Sequence, residues 1–265
     1  MGDPTSIAVT RDGAVLHLTL NRPELRNAMS LAMVHELSDA LHAAEGDGNT
    51  RVIVLRGADG NFSAGADIKD MAAARARLAE DPDALVKVNS TFGELCGAFS
   101  DSGLAIVAVL EGAVMGGGFG LCCVADVVIA CESALFRLPE TSLGLLPAQI
   151  APFLVERLGY SEAKRLAVTG GRLTAQDALA IRLVHEVHEA AGLDAAVTRT
   201  VGEILACAPG ALAATKALVR KARWSKAPDL VQESARAFSR AALGAEGIEG
   251  MGAFMQKRKP QWSPP

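Results

Sequence analysis

The sequence predicts an α/β fold in which strand–turn–helix units precede a helical C-terminal section. Two apolar runs, at residues 51–56 and 104–110, have the composition of strands that are covered on both faces. Each run is followed by a glycine-containing turn, a glycine-dense segment and a helix-like stretch. From about residue 161 onward, periodic runs of Ala, Leu, Glu, Arg and Lys predict that the last third is mostly helical.

The hydrophobic pattern also assigns shorter elements. Residues 15–20 alternate between apolar and polar side chains, which predicts a half-buried strand that ends before Pro23. Ser30 can cap the next helix, whose apolar stripe has helical spacing and which ends near Gly46. A further strand is predicted at residues 127–130.

Composition and charge exclude several classes of protein. The 265 residues include 26 Lys and Arg and 30 Asp and Glu, giving a net charge of −4, and 50% are hydrophobic. This composition predicts a globular protein, and the lack of a basic stripe argues against a nucleic-acid partner. The longest apolar run, at residues 104–110, is far shorter than the roughly 20 residues that cross a bilayer. We therefore expect no membrane segment and a cytoplasmic location.

Cysteine and histidine spacing predicts no metal site. The five cysteines form no CxxC pair, which favours reduced thiols in the protein interior. Residues 185–188 have the sequence His-Glu-Val-His, one residue short of the zincin spacing, and fit an edge strand better than a zinc site. The glycine-rich segments complete neither a dinucleotide-binding fingerprint nor a P-loop, and Ser63 is not in a GxSxG nucleophile elbow.

Two glycine-rich loops at strand ends are the first candidates for chemistry. Residues 64–66 (Ala-Gly-Ala) follow one apolar run, and residues 116–118 (three glycines) follow the other. Small residues let backbone N–H groups approach a ligand, and a helix that opens with the three glycines would add the positive end of its dipole. Two converging donors of this kind would form an oxyanion hole. Tight packing of strand against helix is the alternative explanation for either loop alone.

Four segments in this order resemble the motifs of the crotonase superfamily, the enoyl-CoA hydratases and isomerases. They are Asn21-Arg22-Pro23-Glu24 with Arg26-Asn27-Ala28-Met29, then residues 62–69, Gly116-Gly117-Gly118 and Pro139-Glu140. The resemblance extends from about residue 7 to residue 258. It implies a ClpP-like spiral of ββα units at residues 1–200, which carries the active site, and a helical trimerisation region at residues 201–265. It also implies trimers, often paired into hexamers, and acyl-CoA substrates, with coenzyme A as part of the substrate and no separate cofactor.

The same resemblance implies roles for individual residues. The backbone N–H groups of Ala66 and Gly117 would hold the enolate oxygen of the thioester. Five residues match positions that line the CoA arm: Arg26, Ala28, Ala64, Ile68 and Lys69. Phe254 and Lys257 match a segment that reaches the CoA of a neighbouring subunit.

The sequence departs from the usual hydratase pattern at one catalytic position. Typical hydratases of the superfamily use two glutamates, one three residues after the second hole-forming glycine and one in the Pro-Glu segment. Here Gly120 stands at the first position and Glu140 supplies the second. A single carboxylate can act as general base and then as general acid, provided that apolar neighbours raise its pKa.

Gly120 and the segment at residues 143–152 resemble the hydratases of 3-branched glutaconyl-CoA in leucine and acyclic-terpene catabolism. We therefore expect hydration of 3-methyl- or isohexenylglutaconyl-CoA, with Gly120 removing charge and bulk near a dianionic acyl group. Gln149 would hydrogen-bond the distal carboxylate. Three alternatives stay open: an isomerase that uses Glu140 alone, a hydrolase of the same superfamily, and an acyl-CoA-binding homologue without catalysis.

Overall fold

The computed structural model describes residues 5–263, which form two sheets and ten α-helices. The strands are β1 (Ile7–Asp12), β2 (Val15–Leu20), β3 (Val52–Gly57), β4 (Ala105–Leu110), β5 (Ala113–Met115), β6 (Val127–Cys131), β7 (Leu135–Arg137), β8 (Arg172–Thr174) and β9 (Glu186–His188). The helices are α1 (Leu31–Gly46), α2 (Ile68–Ala76), α3 (Ala84–Asp101), α4 (Gly117–Val124), α5 (Ala151–Thr169), α6 (Ala175–Ala180), α7 (Ala190–Leu205), α8 (Pro209–Ala222), α9 (Ala227–Leu243) and α10 (Ala245–Met255). Short 3-10 helices lie at Pro23–Leu25 and Glu140–Leu143.

The main sheet has six strands in the order β1-β2-β3-β4-β6-β9, and the smaller sheet has the order β5-β7-β8. β1 pairs antiparallel with β2, and every other neighbouring pair in the main sheet is parallel. The four strands predicted from apolar pattern are confirmed as β2, β3, β4 and β6, with ends that differ by one residue at most. The expected edge strand near residues 185–188 is β9.

Both faces of the main sheet are covered, because side chains along its central strands alternate between two hydrophobic clusters. In β3, Ile53 and Leu55 pack in the larger cluster with residues of α1, α3 and α4. Val52 and Val54 pack in the second cluster with residues of α7. Each such buried side chain contributes about 1.5–3 kcal/mol, which explains why these strands are apolar throughout.

The loops that follow β3 and β4 lie at the same edge of the main sheet, because the two strands are parallel. Main-chain hydrogen bonds join them directly: the N–H of Ser63 donates to the carbonyl of Ala113 at 2.8 Å, and the N–H of Met115 donates to the carbonyl of Ser63 at 2.9 Å. The two glycine-rich loops are therefore held side by side by backbone hydrogen bonds.

The helical C-terminal region predicted from composition is present, but its first helix packs on the core. The predicted division between residues 200 and 201 lies inside α7, whose Leu193, Ala196 and Val197 are buried against the main sheet. The outer ends of the two predicted regions, residues 1–4 and 264–265, lie outside the described residues. Helices α8, α9 and α10 follow, and the fully buried residues in them are only Leu230 and Ala253.

Three further features concern the burial of the cysteines, the grouping of metal-ligating side chains and the length of the apolar helices. Four of the cysteines are buried as predicted, but Cys207 is exposed, because it lies in the turn between α7 and α8. Within residues 5–263, no three His, Cys, Asp or Glu side chains are grouped to hold a metal ion. In the same range no single helix is long and apolar enough to cross a membrane, and α7 with α8 meets that test only as a pair bent by 98°.

Candidate active site

A cavity of about 410 Å³ lies between α1, α2, α3 and the segment at residues 144–150. The three residues predicted to act in catalysis, Ala66, Gly117 and Glu140, all line it. Most other lining side chains are apolar, among them Leu31, Val34, Leu85, Val88, Phe92 and Ile150. The structure therefore brings both predicted backbone donors and the predicted carboxylate to one apolar chamber.

Ala66, the first predicted backbone donor, lines this cavity beside Met29. The N–H of Met29 donates to the carbonyl of Gly65 at 2.8 Å, and the N–H of Asp67 donates to the carbonyl of Met29 at 2.9 Å. These two bonds form a parallel bridge between Met29 and Ala66, in which the N–H of Ala66 takes no part. This N–H has no acceptor among residues 5–263.

A buried polar network fixes the segment that carries Ala66. The side chain of Asn27 is fully buried, and its Nδ2 donates to the carbonyls of Ala58 and Asn61 at 2.9 and 2.6 Å. The hydroxyl of Ser63 donates to the carbonyl of Asn27 at 2.8 Å and accepts from the N–H of Gly65 at 3.1 Å. The sequence analysis gave Asn27 no role of its own, because its partners lie more than thirty residues away along the chain.

An ion pair also stabilises this loop at the start of α2. Asp67 is buried, pairs with Arg22 at 2.8 Å, and accepts the N–H of Lys69 as the N-cap of α2. Burial opposes the charged form of Asp67, but the N–H of Lys69 and the Arg22 guanidinium together hold its pKa below the usual value. Asp67 is therefore a carboxylate with a structural function.

Gly117, the predicted second donor, is the first residue of α4, where the helix dipole is positive. Gly116 just before it has a φ of +49°, which favours glycine, and its N–H donates to the carbonyl of Arg137 at 3.0 Å. A Cβ at residue 117 would lie 2.3 Å from Cε of Met29. The N–H of Gly117 has no acceptor in the described part of the chain.

Glu140 lies at the start of a 3-10 helix with its carboxyl group against the glycine turn. A Cβ at Gly116 would lie 3.0 Å from Oε1 of Glu140 and 3.8 Å from Cα of Gly65. The other carboxyl oxygen, Oε2, is buried and makes no hydrogen bond to the described residues. Burial raises the pKa of Glu140. These are the properties of a carboxylate that can exchange a proton with a substrate next to the two backbone donors.

Gly120 is not among the residues that line the cavity, and its predicted place near the acyl group stays a prediction. It is buried inside α4, and a Cβ there would lie 2.3 Å from Cγ2 of Ile150 and 3.4 Å from Cζ of Phe92. Ile150 and Phe92 thus occupy the volume that a side chain at residue 120 would need. The sequence has no glutamate at residue 120, and the packing of Ile150 leaves no room for a glutamate side chain there.

Gln149 lines the cavity as predicted, and it is paired with a residue that the sequence analysis did not identify. Its Nε2 donates to Oδ1 of Asn89 at 2.8 Å, across the gap between the segment at 144–150 and α3. Only the folded chain brings these two amides together, since sixty residues separate them.

The five residues matched to the CoA arm lie in two neighbouring segments of the chain, at residues 26–28 and 64–69, and none of the five lines the cavity. The N–H of Ala64 donates to the carbonyl of Arg26 at 2.8 Å, which joins the segment around Ala28 to the one that continues to Ile68 and Lys69. Ile68 is 73% exposed, and Arg26 and Lys69 are exposed as well. Their contact with CoA stays a prediction.

Phe254 and Lys257 do not meet the cavity of their own chain. They lie at the end of α10, where Phe254 is 86% exposed and Lys257 has an exposed side chain. Their predicted role in the CoA site of a neighbouring subunit also stays a prediction.

Comparison with known proteins identifies the family. The family described as enoyl-CoA hydratase/isomerase matches residues 10–265. A 2,3-dehydroadipyl-CoA hydratase of Escherichia coli (strain K12) is 31% identical over 259 residues, which cover 97% of this chain and 98% of that protein. The chain belongs to the enoyl-CoA hydratase/isomerase family.

Two solved structures have the same fold as this family member. Pseudomonas aeruginosa AtuE superposes with a TM-score of 0.94 and 49% identity, covering 98% of this chain and 100% of that one. An enoyl-CoA hydratase/isomerase from Marinobacter aquaeolei gives 0.92 and 45%, covering 97% and 98%. The predicted crotonase fold is confirmed, and the chain is an enzyme of the hydratase/isomerase family.

Proposed function

We propose that this enzyme hydrates a 3-branched glutaconyl-CoA, and that it prefers the isohexenyl branch to the methyl branch. One observation carries the proposal: the half-buried carboxyl group of Glu140 lies against Gly116 in the chamber that Ala66 and Gly117 also line. Packing by Ile150 leaves no room for a second carboxylate at residue 120. The proposed reaction therefore uses one protein carboxylate.

In the proposed mechanism, Glu140 acts first as a base and then as an acid. Its carboxylate takes a proton from water while the water oxygen bonds to the β carbon. The electron pair of the double bond moves toward the carbonyl, and the N–H groups of Ala66 and Gly117 stabilise the negative charge on the thioester oxygen. The protonated Glu140 then returns its proton to the α carbon, so one molecule of water is added. The thioester accepts the electron pair, and we propose that no redox cofactor or metal is required.

The apolar lining of the chamber supports the longer branch. Leu31, Val34, Leu85, Val88 and Phe92 present aliphatic and aromatic surface from two helices, α1 and α3. Burying each methylene group of a branch in such surroundings contributes about 0.8 kcal/mol. An isohexenyl group would use this surface, whereas a methyl group would leave most of it without contact.

The amide groups of the lining support a distal carboxylate on the substrate. Gln149, which we expect to contact that carboxylate, lines the chamber together with Asn89. The name of the Escherichia coli relative, 2,3-dehydroadipyl-CoA hydratase, describes an enoyl thioester of a dicarboxylic acid. The substrate in the name of that relative thus carries a second acid group on its acyl chain, as the proposed substrate does.

An isomerase is the second candidate, because double-bond migration also requires one base, and Glu140 could move the proton between two carbons. A hydrolase and a non-catalytic acyl-CoA-binding protein are the remaining alternatives. Glu140 lines the chamber and its buried Oε2 has no hydrogen-bond partner among the described residues, which argues for catalysis rather than binding alone.

Absorbance of the conjugated enoyl thioester distinguishes these candidates. We expect purified enzyme to lower that absorbance with isohexenylglutaconyl-CoA, more weakly with 3-methylglutaconyl-CoA, and least with crotonyl-CoA. Increased absorbance from a 3-enoyl-CoA would indicate the isomerase instead, and release of free thiol would indicate a hydrolase. No loss of absorbance with any of the three conjugated esters would refute the hydratase proposal.

We further propose that the enzyme is a cytoplasmic homotrimer or a dimer of trimers. The support is the apolar surface of α9 and α10, where Phe238, Leu243, Ile248 and Phe254 are all more than 60% exposed. Such a surface is typical of a subunit interface. In this assembly Phe254 and Lys257 would lie near the CoA of a neighbouring subunit.

A further inference from the structure

The hydrogen-bonded pair formed by Asn89 and Gln149 presents unused donors to the cavity. Two carboxamide groups carry four N–H bonds, and the pair uses one of them, from Nε2 of Gln149 to Oδ1 of Asn89. No other hydrogen bond to either side chain occurs within the described residues. Both residues line the cavity. Three N–H bonds therefore remain for solvent or for an acceptor on a ligand.

These amides are the main side-chain donors that the lining offers to an anion. The described lining contains no Lys, Arg or His. Its carboxylates are already engaged or catalytic: Asp70 accepts the N–H of Leu31 at 2.6 Å, Asp67 pairs with Arg22, and Glu140 lies at the glycine turn. An acyl carboxylate would be repelled by these acids and attracted only by the amide pair.

Gly93 fixes the orientation of the pair. It lies one helical turn after Asn89 on α3, and a Cβ there would lie 2.1 Å from Oε1 of Gln149. Gln149 can lie flat against α3 only because residue 93 has no side chain. The arrangement of the pair thus depends on three residues, Asn89, Gly93 and Gln149. Of these, only Gln149 was predicted from the sequence.

We propose that Asn89 and Gln149 bind the distal carboxylate of the acyl chain and so select dicarboxylic over monocarboxylic enoyl thioesters. This inference rests on the proposed hydration of a branched glutaconyl-CoA. The carboxylate accepts N–H groups from both amides, while the branch contacts the apolar residues nearby. Because Asn89 is exposed, water takes this position when the acyl chain has no distal carboxylate. Selection therefore comes from the charged hydrogen bonds that a distal carboxylate makes with the two amides.

Two substrates that differ only in this group test the inference. 3-Methylglutaconyl-CoA carries a carboxymethyl group where 3-methylcrotonyl-CoA carries a methyl group. The variants are Asn89→Leu and Gln149→Met, which keep the size of each side chain and remove its donors. We expect each to lower kcat/KM for the glutaconyl ester by about 10- to 100-fold, as loss of a hydrogen bond to a charged group would, with 3-methylcrotonyl-CoA changed less than about twofold.

A third variant moves Gln149 without changing it. Gly93→Ala places a methyl group against Oε1 of Gln149, whose flexible side chain must then leave the surface of α3. We expect the same selective loss for the glutaconyl ester. Ser90→Ala is the matched control, because the Ser90 hydroxyl donates to the carbonyl of Lys87 in its own helix and is not part of the cavity lining. It should leave both substrates unchanged.

The outcomes separate this inference from the proposed function. Equal losses for both substrates in Asn89→Leu and Gln149→Met, or no loss, would overturn the role of the amide pair while leaving the hydratase intact. A wild-type enzyme that hydrates neither glutaconyl ester would refute the proposed function and the inference with it. If 3-methylcrotonyl-CoA is converted too slowly to measure, its inhibition constant as a competitor provides the same comparison.

Discussion

The α/β core and the three last helices, α8 to α10, differ in where they place their large apolar side chains. In the core, β3 and β4 bury aliphatic residues on both faces, and Phe62, Phe99 and Phe119 are almost completely buried. In the last helices, Phe238 is 75% exposed and Phe254 is 86% exposed. Every phenylalanine of the core is thus buried or half-buried, whereas both phenylalanines of the last helices are exposed, as at a surface that another surface can cover.

The candidate catalytic residues belong to the first of these regions, whereas Phe254 and Lys257, which we propose lie near the CoA of a neighbouring subunit, belong to the second. The two proposed backbone donors lie in loops after β3 and β5, and the proposed carboxylate lies in a 3-10 helix after β7. Substitutions in the core should therefore alter chemistry or folding, and substitutions in the last helices should alter assembly. The predictions below test this separation, from the largest expected effect to the smallest.

Glu140→Gln should give the largest effect, because it removes the proposed base and keeps the shape of the side chain. We expect kcat to fall by about 10²- to 10⁴-fold. The dissociation constant for an acyl-CoA product, measured by calorimetry, should change less than about threefold. Glu132→Gln, at an exposed carboxylate of the same region, is the control. Full turnover by the Glu140 variant would show that the base has been assigned wrongly.

Gly120→Ala should destabilise the core, because its methyl group would overlap Cγ2 of Ile150. We expect the free energy of unfolding in urea to fall by about 1–3 kcal/mol. Ile150→Ala removes the opposing methyl group, so the double variant should lose less stability than the sum of the two single losses. Additive losses would mean that Ile150 is not what excludes a side chain at residue 120.

Phe238→Ser should change the assembly and leave the single chain almost unaffected. Because the side chain is 75% exposed, we expect the free energy of unfolding of the dissociated chain to change by less than about 0.5 kcal/mol. Sedimentation velocity should show a smaller species than the wild type. Val9→Ser, at a residue of β1 that is 51% exposed, should leave the sedimentation coefficient unchanged. A monomeric wild type would contradict the proposed trimer.

His185 should give the smallest effect, a pH dependence of stability. Its Nδ1 accepts the N–H of Val128 at 2.9 Å, and burial, with a smaller contribution from Arg157, lowers its pKa below 6.5. The folded state then binds protons less readily than the unfolded state, so stability should fall as the pH decreases below 6.5, until the folded-state pKa is passed.

His185→Asn tests this pH dependence, because an amide oxygen can accept the same N–H without titrating. We expect urea unfolding of this variant to depend less on pH between 7 and about 5 than that of the wild type. Identical slopes would show that another group is responsible.

Much of the fold could be predicted because its signals are local. A period or a continuous apolar run can be recognised in the longer strands β2, β3, β4 and β6. The start of α1 is marked by its N-cap, Ser30, whose side chain accepts the N–H of Met33 at 3.2 Å. β5, β7 and β8 have three residues each, too few for any period, and they were not predicted. Their pairing is what positions the glycine turn beside Glu140.

Some site residues could not be predicted because their roles depend on contacts between distant parts of the chain. Asn27, Asn89 and Ile150 act through partners that lie far away along the chain, so no local pattern predicts their contacts. Gly120 shows the converse: the sequence indicates that a glutamate is absent, and the folded chain adds that Ile150 packs where a side chain at residue 120 would lie.

The sequence by itself determined the strands β2, β3, β4 and β6, the helix α1, the two glycine-rich loops and the single candidate base, Glu140. Backbone conformation and hydrophobic period are properties of neighbouring residues, so a short segment of sequence is enough to predict them. Only the tertiary structure decided that Ile150 fills the space at Gly120 and that Asn89 meets Gln149. Such contacts depend on how close-packed elements exclude or admit one another, which is a property of the folded chain as a whole.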